Sequence, residues 1–249
     1  MSTKKEYTIN KVLSNKKICE GIYKLEVEGN FSANPGQFYM LRSWTNEPIL
    51  GRPISIHNIN EEGTIIEFLY AVVGQGTELL KNIKENDEIN LMGPLGNGFD
   101  ISEANKGKVA ILAGGIGIAP MNYLAKSLDN ENIDIFVGFR DEIYGLKDLD
   151  KEVKSINIAT ESGNVGHKGY ITDIFNPKDY DLVLCCGPEV MMHKAIKMCR
   201  DSNTKIYVSE EKKMACGIGA CLVCTCKTKK GNKRTCKDGP VFLGDDIEL

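Results

Sequence analysis

Cys216, Cys221 and Cys224 follow the spacing C-x4-C-x2-C, and Cys236 comes after eleven further residues. Four thiolates so arranged suit a 2Fe-2S cluster of the plant type, in which one tight loop wraps most of the cluster. Gly217 and Gly219 would let that loop turn closely and aim backbone N–H groups at sulfur. A fifth thiol, Cys226, makes only C-x-C with Cys224, too short for the paired knuckles that zinc prefers, so it is read as a non-ligand. A structural zinc ribbon is the alternative use of the same cysteines.

Other stretches suit phosphate. In "RPISI", Arg52 to Ile56, the guanidinium stands beside a rigid bend, where its fork can hold a phosphate in bidentate fashion; an ordinary edge arginine is the plainer alternative. Downstream, "GQGT" places Gly74, Gly76 and Thr77 at the opening of a helix, where backbone N–H groups collect anions. Two such features in one small β-region fit the pyrophosphate of a dinucleotide. Further on, "ILAGGIGIAP" sets Gly114, Gly115 and Gly117 between an apolar strand and a helix that has Pro120 at its start. It lacks the third glycine of the Rossmann fingerprint. "LCCGPEVM" likewise ends an apolar strand in Cys186, Gly187 and Pro188 before a helix. Two strand-to-helix turns of this kind point to a nicotinamide nucleotide. The glycine-rich "TESGNVGHKGY" could close over it or be a plain surface loop.

The elements that carry these motifs change character along the chain. From Tyr7 to about Met92, short β-type runs separated by turn residues predict an antiparallel barrel or sandwich, with one helical patch at "GTELLKNI". After "GPLGNGF" the rhythm becomes βαβα, and continuous apolar runs predict a doubly wound α/β domain with buried parallel strands. The expected units are residues 1–100, an N-terminal antiparallel β-barrel; 101–210, the α/β nucleotide domain; and 211–249, a small C-terminal 2Fe-2S domain.

The chain of 249 residues has room for two compact domains and an appendage. A net charge of −3 gives no basic field for nucleic acid or anionic lipid. No apolar leader and no run of 18 apolar residues occurs, so neither secretion nor a membrane span is expected, and a cytoplasmic protein is. Of the nine cysteines, Cys19, Cys185, Cys186 and Cys199 read as small core residues. His57 is a candidate wall of the first cofactor site, whereas His167 and His193 read as surface or helix residues. The turn "KTKKGNKR" reads as a solvated face. No Ser/His/Asp set or paired carboxylates stand out, so no catalytic side chain is assigned, and the chemistry is expected to reside in bound cofactors.

The order of these motifs, from "RPISI" and "GQGT" through "GGIGIAP" and "CCGPE" to the cysteine loop, resembles the ferredoxin reductase superfamily. "EEKKMACGIGACLVCTC" and "CKDGPVF" are similar to the electron-transfer subunits of two-subunit, NAD-linked dihydroorotate dehydrogenases. The resemblance implies an FAD between barrel and nucleotide domain, held by Arg52, Pro53, Ile54 and Ser55, by Leu69, Tyr70 and Ala71, and by Gly76 and Thr77. It implies 2Fe-2S ligation by Cys216, Cys221, Cys224 and Cys236. It further implies a separate FMN-containing catalytic subunit, in a heterotetramer of two of each, that oxidises dihydroorotate in pyrimidine biosynthesis while this chain delivers electrons to NAD+. A flavin and 2Fe-2S subunit of a ferredoxin- or hydrogenase-linked complex is the near alternative. A nucleotide-binding redox sensor with structural zinc is the distant one.

Overall fold

A long first strand is kept from running straight by two irregularities, between Val12 and Ser14 and between Lys17 and Cys19. Such bulges bend and twist a strand. Strand β1 (Glu6–Cys19) can therefore pair with β7 (Glu88–Leu95) along its first half and with β2 (Ile22–Glu28) along its second. Strands β3 (Phe38–Arg42), β4 (Arg52–Ser55), β5 (Asn58–Ile59) and β6 (Ile65–Ala71) complete an antiparallel sheet in the order β4-β3-β7-β1-β2-β6-β5. Its curled interior holds Val12, Leu25, Val27, Tyr39, Leu41, Phe68 and Leu91, with Leu80 contributed by α1 (Gln75–Lys81). The computed structural model describes residues 6–147 and 149–249.

A short helix, α2 (Ile101–Ala104), capped by the Asp100 carboxylate on the Ser102 N–H, leads into the second sheet. Strand β8 (Val109–Gly114) is buried at every position. Alternation sends Val109, Ile111 and Ala113 to one face and Ala110 and Leu112 to the other, so one apolar run feeds two cores. Helix α3 (Ile118–Ser127), β9 (Ile133–Phe139), β10 (Ser155–Thr160), β11 (His167–Lys168), β12 (Leu182–Cys186), α4 (Glu189–Ser202) and β13 (Lys205–Ser209) follow. After them come a two-stranded ribbon, β14 (Thr225–Cys226) with β15 (Lys233–Arg234), and a last strand, β16 (Val241–Leu243). The second sheet runs β11-β10-β9-β8-β12-β13-β16, parallel throughout except for β16, which lies antiparallel on β13. Strand order reverses between β8 and β12, the place where an open α/β sheet opens a crevice for ligands. Pro120 is the third residue of α3 rather than the first, still within the turn whose N–H groups have no helical partner. Among the described residues, no helix is long and apolar enough to cross a membrane.

Two side chains tie the sheets together. Tyr123 Oη donates to the Ala33 carbonyl at 2.9 Å, and buried His57 donates from Nδ1 to the Ala119 carbonyl at 3.1 Å. A carbonyl only accepts, so the Nδ1–H tautomer is fixed. Burial pushes the His57 pKa from 6.5 down to about 4, against the opposing effect of the Ala119 bond. The unfolded chain binds a proton at His57 below pH 6.5, whereas the folded chain resists until about pH 4. Stability is therefore full above pH 6.5 and falls across that window, by about 3 kcal/mol. His57→Gln should flatten this fall, read as urea midpoints at about pH 7.5 and about pH 5; equal slopes in both proteins would refute it.

Candidate cofactor cavity and cysteine centre

Between the two sheets lies a cavity of about 360 Å³, within the range of small-molecule sites. Arg52, Pro53, Ile54 and Ser55 of β4, Leu69, Tyr70 and Ala71 of β6, and Thr77 of α1 all line it. The opposite wall is the turn from β8 into α3, through Ile116, Ala119 and Pro120. Arg52 Nη1 donates to the carbonyls of Leu50 and Gly51, at 2.6 and 3.3 Å, and the guanidinium lies over the Trp44 ring. At Gly76 a Cβ would meet Arg52 Nε at 2.3 Å, so a side chain there would push this guanidinium away from the start of α1. The Thr77 hydroxyl is committed to its own turn, donating to the Gly74 carbonyl and accepting from the N–H groups of Val73 and Gly74. Tyr70 is buried, donates to Asn15 Oδ1 at 3.1 Å and stacks on Tyr23. His57 does not line this cavity.

The third wall had no motif to announce it. Ser209, Glu210, Glu211, Lys212 and Met214 leave the carboxyl end of β13 along the cavity, and Pro240 returns beside them. Glu210 is buried, its Oε2 lies 3.3 Å from Lys212 Nζ, and its Oε1 has no hydrogen-bond partner among the described residues. Glu211 is exposed and borders the cavity; partial desolvation by the surrounding residues, and then the neighbouring Glu210, raise its carboxyl pKa. The available signal was positional: two acids directly after an apolar strand of a parallel sheet, at the end where ligands bind.

The two strand-to-helix turns meet at the strand-order reversal, because β8 and β12 are neighbours. A Cβ on Gly117 would stand 2.3 Å from the Cys186 carbonyl oxygen, and one on Gly114 would stand 2.6 Å from Pro188 Cδ. Gly187, at φ +156, would strike Gly114 N at 2.8 Å. The turns pack closely against one another, and none of their six candidate residues lines the cavity. Cys186 offers its backbone there; its own thiol is buried, and burial holds it well above the usual thiol range.

The cysteine loop winds through three left-handed residues, Gly217 at φ +68, Gly219 at φ +84 and Leu222 at φ +64. The winding brings the N–H groups of Ala220 and Cys221 to Cys216 Sγ at 3.3 and 3.4 Å. Burial alone would raise the Cys216 pKa, but hydrogen bonds from the Cys221, Ile218 and Ala220 N–H groups and the Cys221 thiol outweigh it and bring it to about 6. Cys224 and Cys236 are buried together, their sulfurs 3.2 Å apart, and the Cys236 N–H points at Cys224 Sγ. The four thiols thus form two pairs, Cys216 with Cys221 and Cys224 with Cys236. Among the described residues, no three metal-binding side chains gather on one ion. Two pairs, with N–H donors at sulfur, suit two irons bridged by sulfide better than a single tetrahedral zinc. Cys226 faces elsewhere, toward Thr235 and the Glu210–Lys212 segment.

Arg234, within the turn read as solvated, is a clamp instead. Its Nε and Nη2 grip Asp238 at 3.0 and 3.1 Å, and Nη1 reaches the Gly219 carbonyl at 3.2 Å, so it ties the cysteine loop to the turn that follows Cys236. Arg234→Ala should lower bound iron per chain about tenfold after mild chelation. Arg234→Lys should not restore it, because lysine lacks the planar fork; iron assay reads both, and full retention in Arg234→Ala would remove the clamp role.

Residues 211–248 match the iron–sulfur cluster binding domain of dihydroorotate dehydrogenase B. Over its whole length the chain is similar to dihydroorotate dehydrogenase B (NAD+) electron transfer subunits. It is 56% identical to that of Clostridium acetobutylicum, covering 99% of both chains, and 51% identical to that of Clostridium perfringens, covering 98% of this chain and 99% of the other. Among solved structures, an NADH-dependent reduced ferredoxin-NADP oxidoreductase superposes with a TM-score of 0.85 at 27% identity, over 100% of this chain and 91% of that one. A ferredoxin reductase of carbazole 1,9a-dioxygenase superposes at 0.67 with 19% identity, over 82% and 68%.

Proposed function

The chain belongs to the family of dihydroorotate dehydrogenase B (NAD+) electron transfer subunits, and from that premise we propose how its residues divide the work. As a family member it works with a catalytic subunit and carries electrons to NAD+ in pyrimidine biosynthesis, with FAD, a 2Fe-2S centre and NAD as its cofactors. We assign the catalytic subunit an FMN and the complex two copies of each chain.

Residues 1–100 form the FAD unit, 101–210 the nucleotide unit and 211–249 the cluster unit. FAD is held by Arg52–Ser55, Leu69–Ala71, Gly76 and Thr77, with the Arg52 fork at phosphate. NAD is held by Gly114, Gly115 and Gly117 on one turn and by Cys186, Gly187 and Pro188 on the other. The cluster is held by Cys216, Cys221, Cys224 and Cys236. Bound flavin supplies exchange between pairwise and single-electron chemistry, and a bound cluster single-electron chemistry alone. Apolar side chains of β4 and β6 exclude water from the cavity, and the segment Ser209–Lys212 supplies its polar wall.

One observation carries this reading: a single cavity is walled by the barrel, by the β8–α3 turn and by the segment that runs from β13 into Cys216. Residues assigned to FAD line it directly, the β8–α3 turn borders it through Ile116, and the segment leading to Cys216 borders it through Met214. The near alternative, a ferredoxin-linked subunit, shares the fold at 27% identity, whereas the dihydroorotate dehydrogenase relatives reach 56%. The test is a visible spectrum with flavin, iron and sulfide assays on protein purified anaerobically with its catalytic partner. FAD, two irons per chain and bleaching by both NADH and dihydroorotate are expected; a colourless zinc protein would overturn the assignment.

A further inference from the structure

Behind the buried cysteine pair lies a patch of aromatic, aliphatic and thioether side chains. Cys224 and Cys236 pack in one cluster with Phe38, Met40 and Leu95, and Met92 and Met214 lean against it. Two of these, Phe38 and Met214, also line the cavity between the sheets. Phe38 is held from both sides by strand pairing, to Ser55 on β4 and Leu95 on β7. Met214 stands two residues before Cys216, on the chain that links β13 to the cysteine loop. A Cβ on Gly217 would lie 3.0 Å from Leu95 and Met40 and 3.2 Å from Met92, so its absence lets the loop close onto this patch. Unbranched methionines adapt to such irregular gaps.

We infer that Phe38 and Met214 form a dry partition between the flavin cavity and the Cys224–Cys236 pair, passing electrons singly while keeping water and protons out, with Met214 as its adjustable positioning residue. The inference rests on the cofactor assignment above. Each crossing toward the cavity takes one iron from ferrous to ferric and adds one electron on the cavity side. Two crossings, with one proton taken up on the cavity side, convert NAD+ to NADH. That proton cannot come through the partition, whose side chains offer no exchangeable site beyond the thiols that ligation deprotonates. The exchangeable groups nearest to hand are those of Ser209, Glu210, Glu211 and Lys212, which line the cavity just before Met214 on the same segment.

Water admitted to the sulfurs would favour the more negatively charged, reduced cluster and so raise its reduction potential. The measurement uses the full complex with FAD, cluster and catalytic partner, comparing wild type with Met214→Ala, Met214→Gln and Met214→Leu. An EPR-monitored redox titration gives the cluster potential, and rapid mixing with NADH gives flavin and cluster bleaching separately. Met214→Ala and Met214→Gln should both shift the cluster potential upward. Met214→Ala should also slow cluster bleaching severalfold more than flavin bleaching. Met214→Leu, apolar and of similar volume, should stay near wild type on both readouts. The inference fails if Ala and Gln leave potential and rate ratio unchanged, or if Leu shifts them as much as Ala. Should Met214→Ala not retain its cluster, the Gln and Leu pair decides. Wild-type protein without flavin or iron would instead defeat the underlying assignment.

Discussion

Cys216→Ser is expected to abolish electron delivery to NAD+ while the catalytic partner continues to oxidise dihydroorotate with an artificial acceptor. The thiolate is the metal ligand, and Cys216 is the thiol of this loop most prepared to supply one, with two backbone N–H groups aimed at its sulfur and its pKa brought down to about 6. A serine hydroxyl stays protonated near neutrality. Changes one shell removed from a metal typically cost about 10–100-fold, so loss of a ligand should exceed about 100-fold. The assay pairs NAD+ reduction with dye reduction on the same complex, alongside iron content. Undiminished NAD+ reduction in the variant would remove the cysteine loop from the path.

Gly117→Ala should be nearly as damaging at the nucleotide turns. The added methyl would stand 2.3 Å from the Cys186 carbonyl oxygen and 2.6 Å from its carbon, and neither backbone atom can swing aside. Relief requires β12 to part from β8, which separates the two turns. Overpacking of this kind costs about 1–3 kcal/mol of stability. Misplacing a site by about 1 Å can cost about a hundredfold in rate. Gly115→Ala is the control: its Cβ would meet only Tyr144 Oη at 3.7 Å, so the variant bears just the strain of φ +51, about 1–2 kcal/mol. Rates of flavin bleaching at limiting NADH should therefore fall far more for Gly117→Ala than for Gly115→Ala. Equal rates in the two variants would contradict the interlocked turns.

What could be read without coordinates was whatever short-range chemistry dictates. The change from period-two runs to apolar strands alternating with helices places the two sheets, because burial on one face or on both writes different patterns. The strand-to-helix turns are legible because glycine and proline there answer local backbone demands. The ferredoxin-like spacing of the cysteines is legible for the same reason. Glu210, Glu211 and Met214 were not, since nothing in their neighbourhood says that the chain leaving β13 would border a cavity built mainly by residues more than a hundred positions earlier. The lysine-rich turn is mostly exposed, as expected, and Arg234 at its end is the exception because its partner Gly219 lies across the loop. His57, a candidate wall of the cofactor site by its position after "RPISI", instead bonds Ala119 across the two sheets, a long-range contact with no sequence signature.

The last strand changes what kind of object the cysteine segment is. Strand β16 pairs antiparallel with β13, Ser209 beside Val241, so residues 210–240 are the connection of a hairpin whose two feet share one sheet edge. The cysteine segment is an insertion between two paired strands of the second sheet, not a tail hung from one hinge. A closed insertion can be lengthened, shortened or exchanged at modest loop-closure cost, since that cost grows only slowly with length. Its tip is not free, since Cys224 and Cys236 pack on Phe38, Met40 and Leu95, so the hairpin of the second sheet is anchored on the first.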